Sequence, residues 1–120
     1  MIGFVDDSLR ALIDIEITRD GVGATQPLQV WVDTAFNGSL VVPRPQIETL
    51  GLRSASRTDA VLADGQVVEL ETFSCFIRWF GKIYRTQVVA NDGEFPLLGT
   101  VLLAGRKLLV DYELATVTLS

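Results

Sequence analysis

Turn-forming residues punctuate this chain about every ten positions, and the short segments between them favour β structure. That spacing leaves little room for long helices and predicts a mostly β fold with one or two short helices. Ala11-Leu12-Ile13-Asp14-Ile15-Glu16-Ile17 alternates apolar with acidic residues, the pattern of a half-buried strand. Asp20-Gly21 through Gly23 reads as a flexible turn. Leu28 to Val32 reads as a second strand leading into Asp33, and Leu40 to Val42 as a third, stopped by Pro43 and Pro45. Pro45 to Leu50 reads as one short helical turn closed by Gly51, a residue type suited to a helix C-terminus.

Two hairpins follow. Asp59 to Leu62 and Val67 to Glu71 flank Ala63-Asp64-Gly65-Gln66, where Asp-Gly is a strong hairpin signal. Phe73 to Phe80 and Lys82 to Ala90 flank Gly81. Thr100 to Ala104 reads as a short helix ended by Gly105. The chain closes with Leu108 to Asp111, a turn near Glu113, and Thr116 to Leu119. No repeat, linker or low-complexity segment interrupts it, so residues 1–120 read as one domain.

Composition narrows the chemistry. There is no histidine, which excludes Ser-His-Asp and Cys-His triads and any histidine-bound zinc. Cys75 is the single cysteine, flanked by Phe73, Phe76 and Ile77, so it reads as a buried, inert thiol rather than a metal ligand. No metal or cofactor is implied. The net charge of −5, with Arg and Lys spread singly, argues against nucleic acid as a partner. The uncharged stretch Phe95 to Gly105 is far too short to span a bilayer. Asp6 and Asp7 sit where a signal peptide would be positive, which points to a cytoplasmic protein away from membranes.

The chemistry-bearing stretch is Val30-Trp31-Val32-Asp33-Thr34-Ala35-Phe36-Asn37-Gly38. It places a carboxylate at the end of an apolar strand, then a small hydroxyl residue, a methyl side chain and a tight turn. A charge beside buried apolar surface costs several kcal/mol unless paired or neutralised. Two such carboxylates face to face share one proton and act as an acid/base pair, and with one loop per chain the second would come from another subunit. Taken alone, Asp-Thr-Ala reads first as a strand-end Asp capping an ordinary turn, since such triplets occur often by chance, and the balance shifts only with the rest of the chain. Further along, Phe95-Pro96-Leu97-Leu98-Gly99 couples an apolar pair to a glycine, which lets another backbone segment approach closely.

Taken in order, these motifs resemble the retropepsin-like aspartic proteases, single-lobed relatives of the retroviral proteases. The likeness covers nearly the whole chain, and Val-Asp-Thr-Ala-Phe-Asn-Gly with Leu-Ala-Asp-Gly in the middle is similar to the small prokaryotic members. It implies a closed or partly open acid-protease β-barrel of one lobe with a flap hairpin. It implies a homodimeric aspartic endopeptidase acting on peptides or proteins, with Asp33 from each subunit forming the catalytic dyad. By the same resemblance Thr34 reaches across the dimer axis, and Ala35 gives its N–H to the carboxylate. Leu97, Leu98 and Gly99 support the loop from behind, and Ala63, Asp64 and Gly65 form the flap tip. The chain departs from the pattern at Ala35, where glycine is usual, and at Asp64, where the pattern has an apolar, glycine-rich tip; Asp64 itself reads as a solvated turn residue rather than a substrate ligand. The alternatives are a catalytically silent dimeric binding or scaffold module of the same fold, and an unrelated ligand-binding β-barrel.

Overall fold

The computed structural model describes residues 1–61 and 63–120. Its elements are β1 (Ile2–Val5), β2 (Ala11–Thr18), β3 (Gln26–Val32), β4 (Leu40–Pro43), α1 (Arg44–Leu50), β5 (Arg53–Val61), β6 (Val67–Trp79), β7 (Lys82–Asn91), β8 (Leu97–Leu98), α2 (Thr100–Leu103), β9 (Leu108–Asp111) and β10 (Thr116–Leu119). All ten strands belong to one sheet in the order β5-β6-β7-β4-β8-β3-β2-β1-β10-β9. A further pairing of β6 with β2, through Glu16↔Arg78, Ile17↔Ile77 and Thr18↔Phe76, closes the middle of that sheet into a barrel. The ring runs β2-β3-β8-β4-β7-β6, leaving β5 and the β1-β10-β9 ribbon as extensions.

Strand periodicity explains the interior. Ile13, Ile15 and Ile17 of β2 point inward, while Asp14 is exposed and Glu16 half-buried on the other face. Leu28, Val30 and Val32 of β3 join them, with Leu40, Val42, Ile77, Val88, Leu98, Val117 and Leu119 from the neighbouring strands. Helix α1 packs Ile47 against this core and ends at Gly51, whose φ of 65° is the left-handed turn the glycine was expected to supply. Cys75 is fully buried, and desolvation pushes its thiol up to about 12. A thiol reagent should therefore label the native protein at least about a hundredfold more slowly than the denatured chain. Equal labelling rates would contradict the burial of this side chain.

The structure corrects the hairpin boundaries. The sequence reading breaks the chain near Thr72, but β6 runs without interruption from Val67 to Trp79 and serves both hairpins. Thr72 is buried and satisfied in place: its hydroxyl donates to the Ser56 carbonyl at 3.0 Å and lies 2.8 Å from the Ser56 hydroxyl. A polar residue so satisfied has no reason to mark a turn. Strand β5 begins at Arg53 rather than Asp59, carrying an irregularity between Ser54 and Ser56. Leu62, read as the end of that strand, lies outside the described residues. Two strands were not read from the residues at all: β1, and the two-residue β8.

Candidate active site

Asp33 follows β3 directly, and its backbone is fixed by an element the sequence hides. Strand β8 is inserted between β3 and β4, parallel to the first (Trp31↔Leu97, Val32↔Leu98) and antiparallel to the second (Leu40↔Leu98, Val41↔Leu97). The Asp33 N–H donates to the Leu98 carbonyl at 2.9 Å, and the Trp31 N–H to the Pro96 carbonyl at 2.8 Å. Beyond β8 the chain keeps donating into the same loop. Gly99 N–H reaches the Ser39 carbonyl (2.9 Å), Thr100 N–H the Phe36 carbonyl (2.9 Å) and Val101 N–H the Gly38 carbonyl (3.1 Å), with the Thr100 hydroxyl also on Phe36 (3.2 Å). The first N–H groups of α2 thus find partners in the Asp33 loop instead of a side-chain cap.

This interlock leaves no room at Gly99. A Cβ there would lie 2.3 Å from the Gly38 carbonyl oxygen and 2.7 Å from that of Phe36, so the two segments pass at backbone contact. Within the loop, the Ala35 N–H donates to Asp33 Oδ1 at 3.0 Å. Asp33 is half-buried, and among the described residues it has no cationic partner. Thr34 and Ala35 are exposed, and the Thr34 hydroxyl makes no hydrogen bond within the described chain. The structure therefore brings Asp33, Thr34, Ala35, Leu97, Leu98 and Gly99 into one locked cluster whose outer side faces solvent.

The sequence matches no protein-family model and no curated protein. Solved structures do match. A retropepsin-like aspartic protease from Rickettsia conorii superposes with a TM-score of 0.63 at 16% identity, over 99% of this chain and 88% of that one. EIAV protease complexed with the inhibitor HBY-793 gives 0.57 at 22% identity, over 78% and 85%. The retroviral protease-like domain of Ddi1 from Leishmania major gives 0.51 at 13% identity, over 91% and 88%. The chain has a retropepsin-like fold.

The expected flap of this retropepsin-like fold is the β5–β6 hairpin, with Ala63, Asp64 and Gly65 exposed at its tip. The Asp64 carboxylate is occupied locally, accepting the Gln66 N–H at 3.0 Å, and Gly65 takes a φ of 85°. No hydrogen bond links this tip to the Asp33 loop among the described residues, so the structure does not gather these three residues into the cluster.

Sequence reasoning missed the platform beside Asp33. Trp31 stands two residues before Asp33, 38% exposed, on the sheet face opposite the core side chains of β3. The Arg10 guanidinium lies 4.5 Å from the Phe95 ring centre and 5.8 Å from that of Trp31, in cation–π range of both. Asp6 anchors it: Oδ2 pairs with Arg10 Nε at 2.8 Å, and Oδ1 accepts the N–H groups of Arg10 and Ser8. The Arg10 backbone N–H, helped by the guanidinium, holds the Asp6 carboxyl below its ordinary value of 3.8. A carboxyl depressed in the fold contributes stability above its ordinary value and loses it as pH falls through the folded one. Acidification through the depressed carboxyl's range, below its ordinary value, should therefore loosen Arg10 and change Trp31 emission. Asp6→Asn should give that change at neutral pH, and Trp31→Phe should remove it. Trp31 emission unaltered by Asp6→Asn would contradict the anchoring.

Proposed function

We propose that this chain is an aspartic endopeptidase, active as a homodimer in which Asp33 from each of two subunits forms the catalytic dyad. The observation that carries the reading is the locked Asp33 loop. A half-buried carboxylate is held by backbone bonds to β8 and α2, and among the described residues it has no cation partner and the neighbouring Thr34 hydroxyl has no acceptor. Residues 1–120 form one retropepsin-like lobe, and two lobes bring two such loops to a two-fold axis. The carboxyls share one proton. The ionised one takes a proton from water while the other polarises the scissile carbonyl, so the water attacks the peptide without a covalent intermediate.

In this reading Asp33 is the catalytic residue. Thr34 reaches the partner loop, Ala35 aims the carboxylate, and Leu97, Leu98 and Gly99 hold the loop from behind. Ala63, Asp64 and Gly65 close over bound peptide and exclude water. No metal or cofactor takes part, and the protein works in the cytoplasm on peptide or protein substrates. Cleavage of a peptide library should follow a bell-shaped pH curve on the acid side of neutrality and survive a metal chelator. Loss of activity on chelation would overturn the mechanism.

A second reading, a catalytically silent dimeric binding or scaffold module, is favoured by Ala35 in place of glycine and by the likeness to a protease-like domain of Ddi1. Ala35 decides between them. Its backbone is not among the non-glycine residues with positive φ, and its methyl lies on the exposed side of the loop. Ala35→Gly should therefore leave cleavage within a few-fold and cost at most about 1 kcal/mol through backbone entropy. A gain of an order of magnitude would show that the methyl holds the carboxylates apart.

A further inference from the structure

On the outer face of the barrel, where β5 gives way to β2 along the edge of β6, three arginines line one hollow of about 350 Å³ with Ser74, Phe76 and Asp20. The placement follows from register. Thr18, Phe76 and Arg85 share a row, and Ser74, two residues along β6, faces Arg53. Strand β5 occupies the β6 edge as far as Ser74 and β2 takes it over at Phe76, so the junction leaves a gap at that point. Arg53 opens β5, Arg85 lies on β7, and Arg19 follows β2. The turn after Arg19 seals one wall: a Cβ at Gly21 would lie 3.1 Å from the Phe76 ring.

The charge at this hollow runs against the chain as a whole, which carries −5. Ion pairs among the described residues involve Arg10, Arg44 and Arg57, and none involves Arg19, Arg53 or Arg85. The one carboxylate present, Asp20, accepts the Val22 N–H at 3.0 Å and lies 3.3 Å from the Thr18 hydroxyl. That leaves three arginines against one carboxylate, whose Oδ1 takes both local hydrogen bonds and whose charge is felt by Arg19. Gathering like charges costs stability, a cost that a multivalent oxyanion removes.

We propose that this hollow binds the phosphate group of a small soluble molecule, with Arg19, Arg53 and Arg85 as the recognising side chains. A tetrahedral dianion accepts several charge-assisted hydrogen bonds at once, which matches donors arriving from three separate elements. The Ser74 hydroxyl adds a neutral donor, and Phe76 offers an apolar wall to the rest of the molecule. The site lies away from Asp33: along β2 it sits at Thr18, six residues from the Leu12 row that pairs with Trp31, roughly 20 Å at the rise of a strand.

The test is titration of the full chain with inorganic phosphate, pyrophosphate and phenyl phosphate at constant ionic strength, followed by amide chemical shifts. The expected result is saturable perturbation centred on Ser74, Phe76 and Arg85, with affinity falling at least about tenfold in Arg53→Ala and in Arg85→Ala. Both side chains are exposed, so the variants retain the fold, and their melting temperatures without phosphate should equal or exceed that of the parent. Asp33→Asn should bind as the parent does, which separates this site from the proposed protease chemistry. Two results would overturn the proposal: no saturation by any of the three ligands up to the order of 10 mM, which is also the outcome if the hollow takes only anionic lipid vesicles in a parallel titration, or undiminished affinity in both arginine variants.

Discussion

Gly99→Ala is expected to destabilise the protein by about 3 kcal/mol or more, one of the largest effects of any single methyl in this chain. The added carbon meets two backbone carbonyl oxygens, at 2.3 Å from Gly38 and 2.7 Å from Phe36, and neither can swing aside as a side-chain tip would. Relief requires β8 and the Asp33 loop to separate, which stretches the Gly99–Ser39 and Thr100–Phe36 hydrogen bonds. Thermal unfolding should show a fall of roughly 10 °C or more in Tm. Gly38→Ala is the useful contrast. There the added carbon meets the tip of the Phe36 ring at 2.4 Å, and a side chain can swing aside about χ1 where a backbone carbonyl cannot. A Gly99→Ala variant within about 1 kcal/mol of the parent would contradict the interlock that holds the loop.

Asp33→Asn should reduce cleavage by about three orders of magnitude or more while leaving stability nearly unchanged. The amide is isosteric with the carboxylate, and its oxygen still accepts the Ala35 N–H that Oδ1 accepts now. What it lacks is a carboxyl able to ionise, and so to take a proton from water and give it back to the peptide as the dyad does. Melting temperature and rate should therefore separate cleanly. Cleavage that persists in Asp33→Asn would remove Asp33 from the chemistry.

The sequence made some of this arrangement legible and hid the rest for physical reasons. The strand into Asp33 shows because Leu28, Val30 and Val32 alternate with outward residues, and alternation is a local signal. Gly51 and the Asp64-Gly65 turn show because each turn needs a particular backbone conformation that few residues adopt. Strand β8 did not show, since two residues are too few to display a period and its neighbours β3 and β4 are remote in sequence. The partners of Gly99 were equally hidden. Gly38, Ser39 and Phe36 hold it through backbone atoms, which leave no trace in residue type. The unbroken course of β6 was lost at Thr72, where a polar residue is satisfied by Ser56 across the sheet. The Arg10 platform needed the fold to bring Asp6, Trp31 and Phe95 to one place.

The central claim is that one Asp33 from each of two chains builds a single catalytic unit. Mixing parent and Asp33→Asn chains in equal amounts, with time for subunit exchange, tests it directly. If both carboxylates are needed, only parent–parent dimers cleave, and activity falls to about one quarter of that of the parent at the same total concentration. Activity of about one half, in simple proportion to the parent chains present, would mean that each chain works alone and would contradict the shared dyad.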